Sequence, residues 1–110
     1  MTSPATYVRT PPRATNPGIV YRGPTNDRRA ALAAGPDVWE VVARLRALRG
    51  SEEQRIATLA EESELHPRQI RTALDFAAEH REQIGSRIRR NEEAAAASRR
   101  AAAEREALLA

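Results

Sequence analysis

The chain has 110 residues, enough for one small domain with flexible ends. Apolar residues make up 41%, but 22 residues are Ala and aromatics are only 4%, so the core is thin and leaves room for a partner to complete it. There is no Cys, which excludes a disulfide framework and a thiolate metal site.

No apolar run approaches the roughly 18 residues of a spanning helix. No charged region followed by an apolar one opens the chain, so no secretory signal is expected and a cytoplasmic protein is. All 18 basic residues are Arg, and the net charge of +3 is unevenly spread. Residues 1–35 carry five Arg against one Asp, residues 36–80 six Arg against nine acids, and residues 81–110 seven Arg against five acids. The middle is therefore acidic and both ends are basic. A DNA-binding domain is usually basic over its own surface.

Residues 1–18 hold Pro4, Pro11, Pro12 and Pro17 among Thr, Ser, Arg and Asn. They bury too little apolar surface to offset ordering entropy, and a disordered arm is expected. Gly18-Ile19-Val20-Tyr21-Arg22-Gly23-Pro24 is a β-prone run between turn residues. It reads as an edge strand needing a partner, such as a second copy, or as an extended segment over the helices. Thr25 or Asn26 then caps a brief helix over about 27–34, with Gly35 past its end.

Asp37 caps the next helix, roughly 38–49. Val38, Val41, Val42, Leu45 and Leu48 form one stripe, with Trp39 beside it. Ser51 and Gln54 make a capping box for a helix starting at about 52. Glu40–Arg44 and Glu52–Arg55 are spaced for ion pairs on exposed faces. Residues 63–65 turn the chain. Pro67 suits the first position of a second helix, and Leu65 and Ile70 are placed as a hydrophobic staple. This is the pattern of a helix-turn-helix, with Glu64 where a turn Gly is common. The second helix runs on uninterrupted to Gly85, which marks a possible bend. Residues 91–107 are mainly Ala, Arg and Glu, with high helix propensity but no large apolar residue. The expectation is an all-α fold: a disordered arm at 1–18, a helix-turn-helix domain at 19–80 and a C-terminal helical extension at 81–110.

Catalytic chemistry is missing from this pattern. His66 and His80 lie 14 residues apart on one expected helix, about 20 Å at 1.5 Å per residue, and cannot share a metal within one chain. No Gly-rich phosphate loop is present. The carboxylates read as solvated helix faces. No enzyme, metal or cofactor is expected.

Two surfaces remain. Arg68, Gln69, Arg71 and Thr72 are the early residues of the second helix; as a recognition helix it would place Arg on guanine and Gln on adenine. Glu61, Glu62 and Glu64 at the mouth of the turn oppose phosphate binding. Phe76, His80, Ile84 and Ile88 form an apolar row at four-residue steps, suited to a groove on a partner protein or to self-association. Within that row His80 reads as a packed neutral side chain.

Val38-Trp39-Glu40-Val41-Val42, the helix-turn-helix, and Ile70-Arg71-Thr72-Ala73-Leu74-Asp75-Phe76-Ala77-Ala78-Glu79-His80 with Ile84 together resemble a family of small bacterial proteins of unknown function regarded as antitoxins. Members are encoded beside toxins with a PIN-like ribonuclease fold. The similarity covers about residues 18–92. The chain departs from the family pattern near its start. The usual Gly-Thr-Arg is replaced by Arg22-Gly23-Pro24-Thr25, and residues 26–36 look inserted. The resemblance implies a homodimer that binds its toxin and represses its own operon. A DNA-binding regulator without a toxin, or a protein-binding module without DNA contact, are the alternatives.

Overall fold

The computed structural model describes residues 16–110, so the expected disordered arm lies almost wholly outside the described residues. The described chain is mostly helical, with a small two-stranded sheet ahead of the helices.

That sheet corrects the all-α expectation. β1 (Ile19–Arg22) and β2 (Arg29–Leu32) pair antiparallel, Ile19 opposite Leu32 and Arg22 opposite Arg29. A strand stands where a brief helix was expected over 27–34. Eight residues give barely two turns of helix, which is marginal in isolation. As a strand, the same residues satisfy their backbone groups on β1. The open end is closed by the Arg22 guanidinium, which donates to the carbonyls of Gly35 (2.8 Å), Leu32 (3.0 Å) and Ala33 (3.2 Å). Ala30, Ala31 and Leu32 are all buried. Gly23 makes the hairpin loop possible: its φ is +100°, and a Cβ there would stand 2.7 Å from the Asp27 carbonyl oxygen.

Four helices follow: α1 (Val38–Ala47), α2 (Glu52–Glu62), α3 (Pro67–Glu79) and α4 (Arg81–Leu109). The first three start where their caps predict. Ser51 Oγ accepts the Gln54 N–H at 3.1 Å, and Gln54 Oε1 accepts the Ser51 N–H at 2.8 Å. His66 closes the same box for α3, its Nδ1 taking the Arg68 N–H at 3.0 Å and its own N–H reaching Gln69 Oε1 at 2.8 Å. The Glu40 carboxylate accepts the Asp37 N–H at 3.0 Å. That use explains why the expected Glu40–Arg44 pair is not formed. Glu52–Arg55 is not formed either, because the Arg55 Nε donates to the Gly50 carbonyl at 2.9 Å. Arg44 instead approaches Glu62 of α2 to 3.8 Å, and Glu53 takes Arg71 of α3 at 3.0 Å.

The helix expected to run from Pro67 to Gly85 breaks earlier, at His80, whose φ and ψ are −132° and 47°. The His80 N–H turns to the Ala77 carbonyl at 3.1 Å. The Phe76 carbonyl, left without that partner, accepts from the imidazole Nδ1 at 2.9 Å. Gly85 stays inside α4. The bend returns Ile84 and Ile88 to a core made of Leu32, Val38, Val41, Leu45, Ile56, Leu59, Ile70, Ala73 and Phe76.

Candidate DNA and partner surfaces

α2 and α3 are joined by residues 63–66. Ser63 Oγ donates to the Leu59 carbonyl at 2.7 Å and accepts the Leu65 N–H at 3.2 Å, which sets the turn. Leu65 packs against the core. Glu61, Glu62 and Glu64 are exposed around it, as expected.

The four residues expected to touch DNA are brought to the start of α3 but are not equally free. Arg68 is exposed and has no ion pair among the described residues. Arg71 is exposed but held by Glu53. Gln69 is half-buried and its carbonyl oxygen belongs to the capping box. Thr72 is half-buried, and its hydroxyl donates to the Arg68 carbonyl at 3.0 Å. The chain entering β1 lies beside it: Asn16, Pro17 and Ile19 line a recess together with Thr72, Asp75 and Phe76. Of the four, Arg68 alone is both exposed and without an ion pair among the described residues.

The row expected to meet a partner is filled by the chain's own core, and this is a correction. Phe76, Ile84 and Ile88 are 2%, 5% and 3% exposed. His80 is half-buried and stacks on Phe76 with ring centroids 4.0 Å apart. Tyr21 meets the same phenyl ring edge-on at 6.4 Å. A straight helix would have carried Ile84 and Ile88 away from the domain. The bend at His80 folds them back onto α1.

Beyond Ile88 the picture reverses. From Arg89 to Leu109 every residue is exposed, except Ala96 and Ala102, which are half-buried. Leu108 and Leu109 are 84% and 88% exposed. The molecule is 76 Å along its longest axis against 35 and 22 Å across.

A further cluster joins residues that the sequence keeps far apart. In the hairpin loop, Asp27 accepts from Arg87 of α4 at 2.6 and 3.4 Å, and Arg90 approaches to 3.9 Å. The hydrogen bond from Arg87 holds the Asp27 carboxyl below the usual carboxylate range, with the charges of Arg87, Arg90 and Arg29 adding to it against a partial desolvation. Next to it, Asp37 Oδ2 accepts from Arg29 Nε at 2.6 Å and from Trp39 Nε1 at 3.1 Å. The hydrogen bond to Asp37 raises the pKa of Arg29. Between hairpin loop and α4 lies a cavity of about 300 Å³, lined in part by Asp27, Arg28, Arg29, Trp39, Arg87 and Arg90. Sequence reading missed it because no local spacing connects residue 27 to residue 87.

No group of three His, Cys, Asp or Glu able to hold a metal occurs among the described residues. Among them no helix is long and apolar enough to cross a membrane. Set against family models, curated proteins and solved structures, the chain matches none.

Proposed function

We propose that the chain is an antitoxin-type protein that captures a partner through the projecting half of α4 and touches DNA through the start of α3. The observation that carries this reading is the exposed stretch from Asn91 to Leu109, which ends in two uncovered leucines. Almost nothing in the chain packs against that stretch, so its helix rests on intrinsic propensity and not on tertiary contacts. Its capture in a partner's groove would fix it and cover the leucines. This reading moves the proposed partner surface further along the chain than the Phe76–Ile88 row, whose Phe76, Ile84 and Ile88 are buried in the core. A PIN-like ribonuclease toxin as that partner is what the resemblance of residues 18–92 to the antitoxin family implies, and the projecting stretch lies almost wholly beyond those residues.

DNA contact rests on less, chiefly on Arg68 standing free at the first turn of α3. The alternatives are a regulator without a toxin and a binding module without DNA contact. The test is co-expression with the protein encoded by the adjoining reading frame. Changing both Leu108 and Leu109 to Ser is expected to abolish co-purification and neutralisation while leaving the melting temperature unchanged. Retained neutralisation would exclude the projecting helix as the partner surface. Arg68→Ala is expected to weaken operator binding by about 1–3 kcal/mol, and unchanged affinity would remove the DNA arm of the proposal.

A further inference from the structure

We propose that the cavity between the hairpin loop and α4 is a binding site for a phosphomonoester, gripped by Arg28 and Arg90 beside the Trp39 ring. The charge balance is the first argument. Four guanidinium groups, from Arg28, Arg29, Arg87 and Arg90, line the cavity. Two carboxylates stand against them, and each already has a short partner: Asp27 on Arg87 and Asp37 on Arg29, both at 2.6 Å. Arg28 has no ion pair among the described residues, and Arg90 comes no nearer to a carboxylate than 3.9 Å, beyond hydrogen-bond length. Two positive charges are thus left over in one concave site. A phosphomonoester carries between −1.5 and −2 charges near neutral pH, which matches that excess; a phosphodiester carries one.

The second argument is the pre-positioning of the cavity. Arg87, locked on Asp27, ties the hairpin loop to α4, and Arg29, locked on Asp37, ties β2 to the start of α1, so the walls are set without having to reorganise. Arg28 and Arg90 then supply the charge-assisted donors that planar guanidinium groups give to phosphate oxygens. Thr25, Asn26, Gln83 and Ser86 add neutral hydrogen-bonding groups on the same lining. Trp39, half-buried with its Nε1 fixed on Asp37, adds an aromatic surface. A volume of about 300 Å³ sits at the lower end of small-molecule sites and suits a ligand no larger than a mononucleotide.

Trp39 is the single Trp of the chain, so the site reports on itself. The full chain is titrated with AMP and with inorganic phosphate at constant ionic strength, following Trp39 fluorescence and heat. A saturable response to AMP is expected, with a weaker one to phosphate. Arg28→Gln and Arg90→Gln should each weaken AMP binding about tenfold, the loss of one charge-assisted contact. Both residues are exposed, so their melting curves should match that of the parent. Arg49→Gln, exposed and outside the cavity, should leave AMP binding unchanged. The proposal is overturned by the absence of a saturable response in both measurements, by unchanged affinity in the two variants, or by an equal loss in the Arg49 variant. A response to a short DNA duplex but not to AMP, lost with Arg28 and Arg90, would also overturn it and make the cluster a backbone contact.

Discussion

Asp27 is one carboxylate on a six-residue loop, yet it ties that loop to a helix 60 residues further on. Its pKa is lowered from the ordinary 3.8, first by the Arg87 hydrogen bond. A lowered folded-state value means that the ionised form is favoured by folding. The contribution is therefore fully present above about pH 3.8 and is lost as the pH falls through the lower, folded-state value. Asp27→Asn should melt below the parent at neutral pH, and the two melting temperatures should converge as the solution is acidified below that range. Parallel curves over the whole range would show that the ion pair does not stabilise the fold. None of this was legible in the sequence, because charge pairing across 60 residues has no spacing rule. Asp37 was half legible. Its place ahead of an apolar stripe marks a cap, but nothing local says that its carboxylate also holds Arg29 and Trp39.

The starts of the helices were legible for a reason of range: a cap is written within four residues. Ser51 with Gln54 and Pro67 with Gln69 needed no knowledge of the rest of the chain. The hairpin and the bend needed it. Arg29-Ala30-Ala31-Leu32 is built of strong helix formers, and pairing with β1 and burial against the helices override that local preference. The break at His80 depends on one imidazole taking the carbonyl of Phe76, whereas composition pointed at Gly85. Gly85 instead sits inside α4 at normal helical geometry, where a Cβ would meet only Arg89 Nη1, at an ordinary 3.5 Å. Gly85→Ala is accordingly expected to stabilise the protein by about 0.5–1 kcal/mol. In urea it should raise the unfolding midpoint and leave the slope unchanged. A lower midpoint would mean that α4 needs a flexible point there, which would revive the idea of a bend at that residue.

At the scale of the whole molecule, α4 belongs to two regimes. Its first two turns complete the core through Ile84 and Ile88, and the rest meets solvent nearly all round. At 1.5 Å per residue its 29 residues span about 43 Å, more than half of the longest dimension. The two regimes should separate in amide exchange. Backbone amides of α3 and of α4 up to Ile88 open only with the core and should exchange slowly. Those beyond about residue 95 have no packing to resist fraying and should exchange fast. Raising the protein concentration distinguishes the ways this can fail. Protection of residues 95–107 that grows with concentration would mean that copies of the chain cover one another's helices. Protection that is high at every concentration would mean that the helix folds back on its own domain. In either case the projecting half is occupied before any partner arrives, and capture of a partner would have to displace that contact first.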